Sequence, residues 1–347
     1  MKRYFWLSSL VICVTAFLAC GCSKENNEVE KAPDEGLKVI TVGAPTIENN
    51  TAGTTRMSFN YSSGLVMAWE ADDAIQISGY DNTPTRKKST SYKASSSGTT
   101  SEFTVIPDEN FSTIATTYYQ YSLGYFANKT NATPKTDIGY TKESYLGTND
   151  PSSWKSAFKI DATQTQTGNN GTSHLKNNYM CVLQSITSGI TAPVFSSTWA
   201  ANHGGEFYQS SCLRLDLTLP KTSDYVGISK ILIQTRNESK ETEAIIYRNF
   251  SKTEGPISAL TLNMEDLGAM DFSTTNQNVI AYIMLSAAGI ELTADHYIQV
   301  RVYFSKDSSN NTTTNYWYRD VKIHDTISLS NGKLGVIKLN STGWAIK

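Results

Sequence analysis

From Leu37 onward the chain alternates apolar and polar positions in short runs. Met57, Phe59 and Tyr61 alternate with Arg56, Ser58 and Asn60. Leu213, Leu215, Leu217 and Leu219 alternate with Arg214, Asp216 and Thr218, and Pro220 ends the run. Ile298, Val300, Val302 and Phe304 alternate with Tyr297, Gln299, Arg301 and Tyr303. A period of two with one apolar face predicts half-buried antiparallel strands. Further strands are predicted over 37–42, 65–69, 74–78, 102–106, 119–126, 179–184, around Ile231 and Ile233, and over 259–264, 279–285, 316–323 and 334–339. Turn clusters such as Asp81-Asn82-Thr83-Pro84, Ser95-Ser96-Ser97-Gly98 and Gly168-Asn169-Asn170-Gly171 separate them. Helical signal is sparse, with room for short turns at 222–227 and 264–268. The pattern predicts an all-β protein built of antiparallel β-sandwiches. The least strand-like stretch, 187–205, puts a domain boundary near residue 195, between an N-terminal sandwich over 37–195 and a C-terminal one over 196–347.

The N-terminus is patterned differently. Lys2 and Arg3 precede an apolar run over 5–19, then Ala19-Cys20-Gly21-Cys22-Ser23-Lys24. The run is too short to cross about 30 Å of hydrocarbon comfortably and ends in small residues before a cysteine. Residues 1–21 thus read as a lipoprotein signal peptide with Cys22 lipidated. Gly21 occupies the small position, and polar residues follow at once. Cys20 is the runner-up, and plain cleavage without lipid is the simpler alternative. Residues 22–36, polar and rich in acidic groups, read as a flexible tether. The expected location is the cell outer membrane, surface-exposed, with the lipid as anchor.

Composition narrows the functions. Charged residues are 18% and aromatics 11%, with 19 tyrosines, as suits an extracellular β-rich protein. Without Lys2 and Arg3 the formal charge moves from −2 to −4. No basic stripe appears, which argues against a nucleic-acid partner. Cys181 and Cys212 are the cysteines left in the body; a disulfide and two buried small hydrophobes both remain open. They cannot by themselves form a zinc site, and no cofactor is implied. His174, His203, His296 and His324 are scattered without a metal-binding spacing, and no nucleophile elbow or phosphate loop occurs, so no catalytic residues are assigned. His203-Gly204-Gly205 reads as a turn. Glu70, Asp72 and Asp73 lie between two predicted strands, either as a solvated turn or as a Ca²⁺ or acid–base pair. Trp154, Trp199, Trp317 and Tyr316 to Tyr318 could form a sugar-stacking face, although aromatics alternating in strands more often fill cores.

Three segments resemble the Bacteroidales fimbrillins, which build type V pili. The first is Thr55-Arg56-Met57-Ser58-Phe59 followed by Val66-Met67-Ala68-Trp69-Glu70-Ala71-Asp72-Asp73-Ala74-Ile75. The second is Asp161-Ala162-Thr163-Gln164-Thr165-Gln166 leading to Tyr179-Met180, and the third is Phe207 with Ser211-Cys212-Leu213-Arg214-Leu215-Asp216-Leu217. The resemblance implies two tandem transthyretin-like sandwich domains. It also implies a fimbrium subunit or a tip or anchor adhesin, joined to other fimbrial subunits by strand addition. In such pilins a protease cuts after an N-terminal-region Arg, and the first strand and lipid are lost. Arg56 is the matching position, and 37–42 the strand removed. The final apolar strand, with seven residues after Asn340, is expected to be either the last native strand or the donor. Room for both is doubtful, which favours a tip or anchor. Asp325-Thr326-Ile327 resembles a short O-glycosylation acceptor, or is an ordinary turn. The alternative function is a monomeric glycan-binding surface lipoprotein for polysaccharide capture, and a host or glycan molecule is a candidate ligand.

Overall fold

The computed structural model describes residues 39–44, 46–49, 65–80, 86–105, 120–126, 159–186, 195, 207–222, 227–249, 252, 254–267, 270, 272, 275–305, 312–324, 327–329 and 332–347. Among them the chain is all-β. In order come β1 (Val39–Gly43), β2 (Thr46–Asn49), β3 (Leu65–Val66), β4 (Ala74–Tyr80), β5 (Arg86–Ala94), β6 (Thr100–Val105), β7 (Gln120–Phe126), β8 (Thr163–Thr167), β9 (Met180–Ile186) and β10 (Phe207–Gln209). Then follow β11 (Ser211–Leu219), β12 (Gly227–Arg236), β13 (Ala259–Glu265), β14 (Gln277–Leu285), β15 (Ile290–Leu292), β16 (Tyr297–Ser305), β17 (Thr312–Lys322), β18 (Ile327–Leu329), β19 (Lys333–Leu339) and β20 (Ala345–Ile346). A 3₁₀ helix over Ser173–Asn178 lies between β8 and β9.

The strands form a seven-stranded sheet (β1-β6-β5-β4-β7-β9-β10), a five-stranded sheet (β14-β11-β19-β2-β3), a six-stranded sheet (β20-β17-β16-β12-β13-β8) and the pair β15-β18. All three larger sheets draw strands from both sides of residue 195, since β10 lies beside β9, β2 beside β19 and β8 beside β13.

Alternation located most of the strands because it reports which side chains face the core. Ile231, Ile233, Leu260, Leu262, Ile298, Val300, Val302 and Phe304 all point inward from the six-stranded sheet and are buried, with Leu213, Leu215 and Leu217 in the same apolar core. It could not set strand direction. The pairs β11–β19, β19–β2 and β13–β8 are parallel, and a parallel ladder has the same period of two. In β19 the run Leu334 to Ile337 is buried without interruption, as befits a central strand. Gly335 is needed there: a Cβ at that position would lie 2.5 Å from Leu329 Cδ2.

Several expectations shift. The turn expected at 264–268 overlaps the end of β13, where Met264 is a buried strand residue. Likewise Gly227 opens β12 rather than closing a turn. The strand expected over 65–69 shortens to β3, with Trp69 making an isolated bridge to Gly98. β2, β5, β8, β15, β18 and β20 are not among the expected strands. β8 reads Thr-Gln-Thr-Gln-Thr, without one apolar side chain. The strand expected over 56–61 lies outside the described residues.

Candidate functional site

Among the described residues, β1 sits at the edge of the seven-stranded sheet with β6 as its one neighbour there. Its burial alternates, so Ile40 and Val42 enter the core while Val39, Thr41 and Gly43 face out. Burying two such side chains stabilises the strand by roughly 1.5–3 kcal/mol each. Trp69 locks it from beneath. The indole is buried, packs edge-on against Phe103 at 5.1 Å, and donates from Nε1 to the Val42 carbonyl at 2.9 Å. Immediately after β1 the Ala44 amide donates to Thr99 O at 2.7 Å. Beside this corner lies a cleft of about 230 Å³, lined by Leu65, Met67, Trp69, Leu175 and Tyr179 together with Glu70 and Lys176.

The acidic group next to Trp69 is a turn, and its carboxylates are engaged. Asp73 Oδ2 accepts from the Glu70 amide at 2.8 Å, Lys93 Nζ meets Asp72 at 2.6 Å, and Lys176 Nζ meets Glu70 at 2.5 Å. Asp72 adopts a left-handed backbone, φ 76°, which Asp tolerates better than most residues. The turn aims Trp69 inward and starts β4; it is built around its own backbone and two lysines.

A second feature was not legible as a site. β14 is an edge strand of the five-stranded sheet, yet its outward backbone groups are paired by side chains. Gln164 accepts from Met284 N at 2.9 Å and donates to Met284 O at 2.7 Å. Gln166 accepts from Tyr282 N and donates to Ile280 O, both at 2.9 Å. Asn169 accepts from Ile280 N at 2.7 Å and donates to Asn278 O at 3.0 Å. The segment after the first strands thus imitates a neighbouring strand with primary amides, and the edge is closed to other chains. The Gln-x-Gln spacing was visible in sequence; its partner over a hundred residues away was not.

His174 completes that closure. Its ring faces the Tyr282 carbonyl through Nε2 at 2.9 Å, so Nε2 carries the proton and donates. Nδ1 is buried and meets no hydrogen-bond partner among the described residues. Burial lowers the pKa below the ordinary histidine value, opposed by the Tyr282 bond. The unfolded chain takes up this proton near pH ~6.5. The folded chain resists it, so the stability tied to neutral His174 is whole above that pH and is lost as pH falls towards the lowered folded value. The melting temperature of wild type should therefore drop more between pH 7.5 and 5.0 than that of His174→Gln, measured by scanning calorimetry; parallel profiles would refute this.

The remaining expected residues fall out as follows. Cys22, Cys20, Arg56, Trp154, Trp199, His203 and Asp325-Thr326 lie outside the described residues. Cys181 and Cys212 are free and buried rather than bridged; desolvation pushes the Cys181 thiol up to about 12 and raises Cys212 as well. Arg214, on the polar side of the alternation over 213–219, is buried: its Nε lies 2.6 Å from Asp216 Oδ1, and the Tyr282 ring opposite lies 5.7 Å away. His296 is bound by Thr293 and faces Glu243 at 3.0 Å, and His324 is exposed. Trp317 is core, edge-on to Phe304 at 4.3 Å and Phe272 at 5.8 Å, whereas its neighbours Tyr316 and Tyr318 are half-buried on the opposite face.

No protein-family model and no curated protein matches this sequence. Among solved structures, the chain is similar to a protein assigned to cell adhesion from Bacteroides fragilis, with 11% identity, a TM-score of 0.37, and 89% of this chain and 94% of that one covered. It is similar to another so assigned from Parabacteroides distasonis, with 11% identity, a TM-score of 0.38, and 91% and 96% covered. A fimbrial assembly protein from Parabacteroides distasonis is similar at 12% identity and a TM-score of 0.30, with 89% and 93% covered.

Proposed function

We propose that this chain is a surface lipoprotein of the fimbrial type, a fimbrium subunit or accessory adhesin that assembles by donor-strand exchange rather than by any chemistry. The observation that carries the reading is β1: an edge strand with one neighbour in its sheet and two core-filling side chains, lying N-terminal to Arg56. Cleavage after Arg56 would release it and leave β6 with an unpaired edge above a hole shaped for Ile40 and Val42. It would also release β2 from between β19 and β3, so the acceptor would run along two sheets. A strand from another subunit would restore both ladder and core. β19 is itself seated between β11 and β2, so the last long apolar run is a native strand of this body. In this reading Cys22 carries the lipid that holds the precursor at the outer membrane, and the segments 37–195 and 196–347 are two sandwich domains that share strands where they meet.

Treatment of the purified chain with an Arg-specific protease, followed by a gel run without boiling, tests this. A ladder of oligomers that collapses on boiling is expected, with a new N-terminus at Met57, and Arg56→Ala should abolish both. Processed wild-type protein that stays monomeric would overturn strand exchange and favour the monomeric glycan-binding alternative.

A further inference from the structure

The outward face of the six-stranded sheet is an organised array of tyrosines and cations. Register places Lys230, Tyr303 and Tyr316 in one cross-strand row, and Leu232, Arg301 and Tyr318 in the next. Gln234, Gln299 and Asp320 form the third row, and Arg236, Tyr297 and Lys322 the fourth. The rings touch in steps: Tyr303 lies 4.9 Å from Tyr316 at 44°, and Tyr316 lies 6.2 Å from Tyr318 at 65°.

The charges on this face are unevenly used. Lys230 Nζ sits 4.2 Å from the Tyr303 ring, Arg301 5.2 Å from Tyr316, and Lys322 6.0 Å from Tyr297. None of the three meets a carboxylate among the described residues. Asp320, the one acid in the four rows, is already engaged. Gln299 donates to it at 2.8 Å, and Arg236 and Lys240 approach at 3.9 Å. Glu265 lies further out, at the end of β13. The guanidinium of Arg301 is also oriented in advance: Nε donates to Gln299 at 2.6 Å and Nη2 to Gln234 at 2.5 Å, so it is held beside the Tyr316 ring. Cations positioned among aromatic rings, with no acid to neutralise them, complement an anion attached to a ring-shaped apolar body.

We propose that this tyrosine-and-cation face binds an acidic polysaccharide, the sugar rings lying on Tyr303, Tyr316 and Tyr318 while Lys230, Arg301 and Lys322 take the carboxylate or sulfate groups. Sugar C–H faces pack on the stepped phenol rings, and the extended array suits a chain better than a single sugar. The site involves neither β1 nor Arg56, so it stands whether or not the subunits exchange strands.

The purified full chain is titrated calorimetrically with polygalacturonate, dextran sulfate, neutral dextran and single-stranded DNA. Binding to polygalacturonate or dextran sulfate is expected, and which of the two binds tighter separates carboxylate from sulfate recognition. The doubly neutralised Lys230→Gln/Lys322→Gln chain should lose at least tenfold in affinity, and Tyr316→Ala about tenfold, because two cation contacts are lost in the first and one stacked ring in the second. Both variants change half-exposed outward positions, and unchanged melting temperatures establish that they are folded. Tyr318→Ala serves in place of Tyr316→Ala if the latter melts early. Equal affinity for dextran, equal affinity for DNA, absence of binding to both acidic polymers, or retention of affinity in the folded variants would each overturn the proposal.

Discussion

Replacing Gln164 and Gln166 together by leucine is expected to destabilise the chain by about 4 kcal/mol, read as a lower denaturant midpoint at an unchanged m-value. The two amides satisfy Met284 N and O, Tyr282 N and Ile280 O, and both glutamines are buried. Leucine has nearly the same volume, so the cavity term is small. What remains is the desolvation of backbone groups left without partners, roughly 1–3 kcal/mol apiece, reduced where Asn170 N still reaches Ile280 O. Against a total of about 5–15 kcal/mol for a folded domain, that is a large fraction. The outward-facing Thr165→Leu on the same strand should cost well under 1 kcal/mol, because it removes no such bond. The double variant should also self-associate at lower concentration, as an uncapped edge can pair with another chain. A double variant within 1 kcal/mol of wild type would mean that water or neighbouring groups serve β14 equally well, and the side-chain ladder would lose its structural role.

Trp69→Ala should be comparably severe, at about 3–5 kcal/mol, the usual cost of emptying a large aromatic site. Its consequences should be local as well as global. The indole supports Phe103 and holds the Val42 carbonyl, so its loss unseats β1 before the rest of the sheet. Hydrogen exchange should accelerate first at the amides that face β6, those of Ile40 and Val42 in β1 and of Ala44 just after it. Trp69→Phe keeps the ring packing and removes the hydrogen bond; it should cost about 1–2 kcal/mol and still speed exchange in β1. Uniform exchange across β1 and β4 in both variants would show that Trp69 serves the core as a whole and has no special hold on the edge strand. Under the proposed mechanism, a loosened β1 should also be displaced faster once Arg56 is cut.

Trp69 and the pair Gln164 and Gln166 differ in how much of their placement is local. Trp69 lies in the first segment of the resemblance, and its inward position follows from the turn at Glu70 to Asp73 that ends one run and starts the next. Gln164 and Gln166 lie in the second, but nothing local explains two buried amides in a strand devoid of apolar side chains. Their partners are backbone atoms of residues 280 to 284, and proximity of that kind is created by folding. Arg214 is enclosed for the same reason: it is on the polar side of the alternation, outward from its own sheet's apolar face, yet Tyr282 and Asp216 surround it.

Alternation of side chains across a pleated strand is a local property, so the all-β class and most strand positions follow from the residues themselves. Direction, sheet order and edge status do not, because a backbone ladder is blind to which side chains it carries. Only the assembled tertiary structure decided that β19 runs parallel to both its neighbours, that β8 closes β14 with amides, that β1 has a single partner in its sheet, and that Lys230, Arg301 and Lys322 share one face with three tyrosines. Each of these depends on distant segments meeting, and burial energy, which is non-directional, settles such meetings over the whole molecule at once.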